Sequence, residues 1–330
     1  MINERINLWQ GNEYTYPASY GFRPNLRSYI HDDEEKRDCM IVVPGGAYCM
    51  VAINEAYVVA KEFYDRGMNT FVLTYTTDIT TSFPVMKQPL NDLSRAVRIV
   101  RKNEDRFKIK SNRLFICGFS AGGHLCSTLV THFNDVKDCD SKLDLVSNRP
   151  DGAILSYPVI SMGTYTESFS RLTLLGPNPT EDMLDYFSTE KCVTKDTPPC
   201  FLWHTQEDGL VSVNNTELFS KALQENGIPY AKYIFPSGHH GLALANKDYF
   251  DGNFGEPYVS EQLDLAIKAV KNGTAINVSE ERTKELLEQF KDSDELADNN
   301  DEEASKNIDY DAFSDVRLWP DLAMKWMERI

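Results

Sequence analysis

Gly118-Phe119-Ser120-Ala121-Gly122 is a G-x-S-x-G pentapeptide set between the apolar run Leu114-Phe115-Ile116-Cys117 and a helix-prone stretch that opens Gly123-His124-Leu125. A strand that turns sharply into a helix at such a pentapeptide leaves one serine hydroxyl exposed above the sheet edge. The turn strains the serine backbone and packs strand closely against helix, so the flanking positions call for glycine. A bare G-x-S-x-G recurs by chance in a chain of this length. The strand before it and the helix after it make it a constraint on the fold.

Periodicity along the rest of the chain gives strands interleaved with helices, the pattern of a mostly parallel sheet covered on both faces. Ile6 to Trp9 and Leu26 to Ile30 read as two edge strands. Cys39 to Val43 is a short buried strand ending at Pro44-Gly45-Gly46, followed by a helix over Ala56 to Arg66 and a strand over Thr70 to Tyr75. Leu90 to Asn103 places Leu93, Ala96, Val97 and Val100 at helical spacing. With Leu114 to Cys117, Gly152 to Tyr157, Pro199 to His204 and Tyr230 to Phe235, the expected sheet has eight strands. Val316 to Ile330 reads as a closing helix with Trp319, Leu322, Ala323, Trp326 and Ile330 on one face and Pro320 near its start. The whole, residues 1–330, reads as a single α/β domain.

Between Gly252 and Ser314 the pattern is that of an insertion: a helix over Glu261 to Lys271, a stop at Asn272-Gly273, a second helix after Ser279, then an acidic stretch. It reads as surface decoration, disordered in part, in preference to a lid. The formal net charge of -16 excludes a nucleic-acid partner, whose phosphates require a basic face. Glu280 to Asp315 carries 14 acidic and 4 basic residues, so most of that charge belongs to one segment. No stretch is long and apolar enough to span a membrane, and Met1 to Gln10 does not look like a secretory signal. Seven scattered cysteines without C-x-x-C spacing point to reduced thiols and a cytoplasmic location.

A serine hydroxyl becomes a nucleophile when a histidine takes its proton, a carboxylate orients that histidine, and N–H groups meet the developing oxyanion. Beyond Ser120, His124 and His132 sit on the same helix and read as packing or solvent-facing residues. His239 and His240 occupy the loop after the last strand, where a base belongs, and position alone leaves both open. Glu207 and Asp208 follow the strand ending at His204 and are equally matched by position. Adjacent imidazoles cannot readily converge on one cation, and there is neither H-E-x-x-H nor a cysteine cluster, so no metal and no other cofactor is expected. For the oxyanion, Ala121 supplies one N–H and Pro44-Gly45-Gly46-Ala47-Tyr48 stands where the others belong, with Gly46 and Ala47 as candidates. Tyr48, Glu55, Trp203 and His204 are candidates for the pocket wall.

Taken together these residues resemble the acetyl-xylan-esterase-like branch of the α/β-hydrolase superfamily, a group of small-acyl carbohydrate esterases related to bacterial feruloyl and acetyl esterases. The resemblance covers roughly Met40 to Leu244 and resumes at Val316 to Ile330. It rests on Pro44 to Tyr48, Pro89-Leu90-Asn91-Asp92 with Arg95-Ala96-Val97-Arg98, Gly118 to Leu125, Arg149 to Pro158, and Thr197-Pro198-Pro199 leading to Leu202-Trp203-His204-Thr205. It also implies a choice between the paired candidates. The group's acid opens a D-x-x-V segment, matched by Asp208-Gly209-Leu210-Val211, and its base opens H-G-L, matched by His240-Gly241-Leu242. Ala47 stands where the group usually has a third glycine, Ser212 replaces a common proline, and the acidic insertion is foreign to the pattern.

The resemblance implies a serine carboxylic-ester hydrolase with Ser120, His240 and Asp208 as its triad, removing acetyl groups from sugar oligomers such as xylo-oligosaccharides. Other short esters, peptides or formamides on the same fold, or a slow ligand-binding homologue, are the alternatives. Acylated carbohydrate is the expected partner, and self-association as a homo-oligomer is left open.

Overall fold

A computed structural model describes residues 1–291 and 310–330 of the chain. Eight strands form one sheet in the order β1-β2-β4-β3-β5-β6-β7-β8. They are β1 (Arg5–Asn7), β2 (Asn25–Tyr29), β3 (Arg37–Val43), β4 (Asn69–Thr74), β5 (Ile109–Phe119), β6 (Gly152–Ser156), β7 (Cys200–Thr205) and β8 (Tyr230–Phe235). The pairs β1–β2 and β2–β4 are antiparallel and all others parallel. Every residue of β4, β6 and β7 is buried, which requires cover on both sheet faces and explains why these strands read as unbroken apolar runs. The exposed edge at β8 carries Lys232, paired with Glu217, which discourages strand addition there.

The helices are α1 (Tyr57–Asp65), α2 (Gln88–Lys102), α3 (Ser120–His132), the one-turn α4 (Ser141–Asp144), α5 (Ser168–Leu175), α6 (Glu181–Phe187), α7 (Asn214–Glu225), the short α8 (Lys247–Phe250), α9 (Glu261–Lys271), α10 (Glu280–Gln289) and α11 (Trp319–Met327). Sequence periodicity gave no element for α4 to α8. The seven and eight residues of α6 and α5 are too few to show a period. Their starts are marked by side-chain caps instead: Glu167 accepts from the N–H groups of Phe169 and Ser170, and Thr180 from that of Met183.

Two helices hold the chain's remote segments against the sheet. On α2, Leu90, Leu93, Ala96, Val97 and Val100 bury its apolar stripe, while Asp92, Arg95 and Arg98 are buried charges with dedicated partners. Trp9, expected inside the first strand, lies beyond it and donates its indole N–H to Asp92 at 2.7 Å. At the C-terminus α11 buries Trp319, Ala323 and Trp326 as expected, but it stops at Met327, and Ile330 is exposed rather than part of its face. Trp319 stacks on Trp203 and donates to Ala243 O at 2.9 Å, and Arg317 donates to Ala245 O at 2.8 Å. The closing helix thereby supports the loop after β8.

From the expected insertion, α9 and α10 pack into a small apolar cluster in which Ala266, Ile267, Val270 and Leu286 meet Cys49 and Ile79. Gln262 bonds both backbone groups of Thr77, and Arg282 donates to Ile79 O. These helices are therefore seated on the loops that follow β3 and β4. The acidic run at 292–309 lies outside the described residues. No disulfide joins the seven cysteines, and among the described residues no helix is long and apolar enough to cross a membrane.

Candidate active site

The parallel strands deliver their C-terminal loops to one edge of the sheet, where the candidate residues converge. β5 ends at Phe119 and α3 begins at Ser120, whose φ of 51° lies in the left-handed region. The flanking glycines are steric requirements: a Cβ on Gly118 would stand 2.3 Å from Gly122 O, and one on Gly122 2.1 Å from Val43 O. The turn can form only because both positions lack a side chain, and it leaves the Ser120 hydroxyl facing a cavity of about 330 Å³.

The loops after β7 and β8 complete a hydrogen-bonded chain. Ser120 Oγ lies 2.8 Å from His240 Nε2, and His240 Nδ1 lies 2.7 Å from Asp208 Oδ2. Because an ionised carboxylate only accepts, His240 carries its proton on Nδ1 and presents Nε2 to the serine as an acceptor. Asp208 is fixed on every side. Its Oδ1 accepts from Leu210 N and Val211 N, both at 2.9 Å, and its Oδ2 lies 3.2 Å from His204 Nε2. Burial opposes its charge, but hydrogen bonds from His204 and His240, the imidazole's pull and the Val211 N–H outweigh it, holding the carboxyl well below the usual range. The Asp208 side chain has no solvent exposure, against 14% for His240, so the imidazole is the member open to the cavity. Tyr157 packs edge-on to the His240 ring, with centroids 5.0 Å apart.

Of the paired candidates, Glu207 is exposed, and His239 points away, its Nδ1 2.8 Å from His240 O and its ring beside Phe313. His124 and His132 are buried. His124 donates from Nε2 to Phe187 O and accepts on Nδ1 from the Tyr48 hydroxyl, and burial pushes its imidazole down to about 4.

Gly46 and Ala47 border the cavity beside Ser120. Their φ values of 113° and 52°, with 59° at Tyr48, make three consecutive left-handed residues. Among the described residues neither the Gly46 nor the Ala47 N–H has an intramolecular acceptor, whereas Gly45 N–H donates to Glu55 Oε2 at 2.6 Å. The N–H of Ala121, the residue after Ser120, stands at the start of α3.

The expected wall residues divide. Glu55 borders the cavity. Tyr48, Trp203 and His204 do not, a correction with a common cause: each is fully buried behind the wall. The Tyr48 hydroxyl is bonded to His124, Trp203 is packed between Tyr157 and Trp319, and His204 is held by Thr216 and Val211 while it touches Asp208. The sequence reading did not include Cys49, Met50, Asn54, Glu167 and Leu210, which complete much of the lining. Nothing in periodicity marks loop residues of this kind. Among the described residues no group of three or more His, Cys, Asp or Glu side chains is placed to hold a metal ion.

The BD-FAE family model matches residues 29–223. A Butyrivibrio fibrisolvens protein named endo-1,4-beta-xylanase B is 57% identical over 81% of this chain and 42% of its own length. An acetylxylan esterase of Xylanibacter ruminicola is 32% identical over 74% of this chain and 49% of its own. The chain thus spans about half the length of the curated relatives it matches. Among solved structures, the acetyl ester-xyloside bifunctional hydrolase of Caldicellulosiruptor lactoaceticus is 36% identical with a TM-score of 0.69, covering 82% of this chain and 97% of that one. The carboxylesterase Cest-2923 of Lactobacillus plantarum, 21% identical with a TM-score of 0.66 over 100% of this chain and 98% of its own, shares the fold.

Proposed function

This chain belongs to the BD-FAE family of α/β-hydrolases, and from that premise we propose that it is a serine esterase removing small acyl groups, acetyl foremost, from xylo-oligosaccharides or related sugars inside the cell. The observation that carries the proposal is the continuous hydrogen-bonded chain from Ser120 through His240 to Asp208, beside the backbone N–H groups of Gly46 and Ala47, which have no acceptor among the described residues.

In the proposed reaction Ser120 Oγ attacks the ester carbonyl while His240 Nε2 takes the serine proton. Asp208 holds the Nδ1–H tautomer and stabilises the imidazolium. The N–H groups of Ala121, Gly46 and Ala47 receive the oxyanion. Collapse breaks the bond to the sugar oxygen, which takes the proton back from His240, and an acyl group remains on Ser120. Water then attacks this second ester, with its proton passing to His240, and carboxylic acid and free serine result.

Acetyl preference is supported by the names of two relatives, an acetylxylan esterase and an acetyl ester-xyloside hydrolase, and by cavity size. A volume of about 330 Å³ lies near the low end of the range for ligand sites, about 300–1,000 Å³, and its wall near the serine includes Ala47, Cys49 and Ala52. The relative named as a xylanase extends over more than twice the length shared here. Glycoside cleavage calls for a pair of carboxyl groups flanking the bond, free to act as acid and as base or nucleophile. In this cavity the two carboxylates, Glu55 and Glu167, are already bonded to Gly45 and Tyr157 and to the start of α5.

The test is turnover of acetyl, butyryl and octanoyl p-nitrophenyl esters, together with acetate release from acetylated xylo-oligosaccharides and from acetylated monosaccharides. A steep fall in kcat/KM with acyl length and faster release from the oligomers are expected. Faster turnover of the octanoyl ester would remove the acetyl assignment, and faster release from monosaccharides the oligomer assignment.

A further inference from the structure

We propose that Glu55 is a positioning residue of this site: its buried carboxylate clamps the loop presenting Gly46 and Ala47 to the loop carrying His240. The inference rests on the esterase reading above. Glu55 ends a single 3-10 turn, Ile53–Glu55, and is 3% exposed. Its Oε2 accepts from Gly45 N at 2.6 Å, in the loop after β3. Its Oε1 accepts from the Tyr157 hydroxyl at 2.8 Å, and that hydroxyl accepts in turn from Ala243 N at 3.0 Å, in the loop after β8. The preceding residue adds a second tie between the same loops, Asn54 Nδ2 donating to Gly241 O at 3.2 Å.

Both loops need such restraint. Gly46, Ala47 and Tyr48 have φ of 113°, 52° and 59°, and Gly241, Ala243 and Ala245 have 81°, 48° and 46°. Left-handed non-glycine residues persist only where the surroundings over-determine them. In the proposed reaction one loop must place N–H groups at the oxyanion while the other places Nε2 at the serine, and a displacement of about 1 Å is enough to cost orders of magnitude in rate. A carboxylate is an expensive way to satisfy a single buried N–H. Burial pushes the Glu55 carboxyl up, against the bonds from Gly45 and Tyr157 and the attraction of His240. Its two oxygens, each taken by a donor from a different element, set one loop relative to the other.

The experiment measures kcat and KM on p-nitrophenyl acetate, affinity for a trifluoromethyl ketone that forms an oxyanion adduct with the serine, and melting temperature. The proteins are the full chain, Glu55→Gln, Tyr157→Phe and the double variant. Glu55→Gln keeps the shape but replaces one acceptor oxygen by a donor. Its kcat is expected to fall about 10²-fold with KM within about twofold and little change in melting. Affinity for the ketone should fall in parallel, because that ligand samples the oxyanion geometry as the substrate ground state does not. Tyr157→Phe should lose about tenfold in kcat, and the double variant should be no worse than Glu55→Gln, since both cut one linkage.

Unchanged kcat in Glu55→Gln, or a raised KM at unchanged kcat, would overturn the proposal, the latter by making Glu55 a substrate contact. If Glu55→Gln does not fold, Tyr157→Phe decides: a selective kcat loss supports the clamp, and parental kcat overturns it. An inactive parent chain would sink the esterase reading itself, an outcome distinct from an active parent indifferent to Glu55.

Discussion

Two places where this molecule buries charge use it differently. Along α2, Asp92 accepts from Trp9, Thr76 and Gln88, Arg95 lies between Glu13 and Asp138, and Arg98 donates to the carbonyls of Val136, Leu143, Asp144 and Val146. The helix backbone there is regular, and no residue from Gln88 to Asn103 has positive φ. At the C-terminal edge of the sheet, Asp208 and Glu55 are also buried and fully engaged, but they are surrounded by left-handed residues: Ala47, Tyr48, Ser120, Tyr157, Ala243 and Ala245. In the first region charge staples remote segments onto an unstrained scaffold. In the second it holds backbone in conformations that would otherwise relax. Damage to the first should appear as lost stability and damage to the second as lost turnover.

The largest separation is expected from Asp208→Asn. An asparagine can leave the histidine in the wrong tautomer, and kcat should fall roughly 10⁴-fold. A fall of less than tenfold would erase the contrast between the regions. The same residue gives a pH test. Its folded pKa is depressed, so its contribution to stability is present above the unfolded value of about 3.9 and is lost as pH falls from there toward the folded value. Melting of the parent should therefore decline more steeply than melting of Asp208→Asn between about pH 5 and pH 3. Parallel curves would contradict the assignment.

Arg95→Ala should behave in the opposite way. It leaves Asp138, whose side chain is 3% exposed, as a buried charge without its partner, and a loss of about 3–5 kcal/mol is expected in denaturant unfolding. Turnover per folded molecule should stay within about twofold of the parent. A large fall in kcat at full folding would show that α2 reaches the site and would dissolve the distinction.

What the sequence made legible follows the same division. The central strands could be read because β4, β6, β7 and the C-terminal parts of β3 and β5 are buried and so appear as short apolar runs, and the G-x-S-x-G turn because sterics demand its glycines. Loop side chains were less accessible. Glu207 and Asp208, like His239 and His240, are neighbours that point in opposite directions, and no local rule fixes which faces inward. Tyr48 lies between two residues bordering the cavity, and Trp203 and His204 lie near the end of β7 that leads to Asp208, yet their side chains are buried in the core, where aromatic packing and the bonds to His124, Thr216 and Val211 retain them. Tyr157 follows β6 and was read as the end of that strand alone. Its hydroxyl links Glu55 to Ala243 only after three distant segments are folded together.

The central claim is that Ser120 is a nucleophile activated by His240. Labelling the purified chain with a fluorophosphonate, followed by peptide mass spectrometry, tests it most directly. The account predicts one adduct per chain, on the peptide containing Ser120, with activity lost in proportion and the adduct absent from Ser120→Ala and strongly reduced in His240→Ala. Inactivation with the adduct on another residue, or an active chain whose Ser120 stays unlabelled, would contradict it.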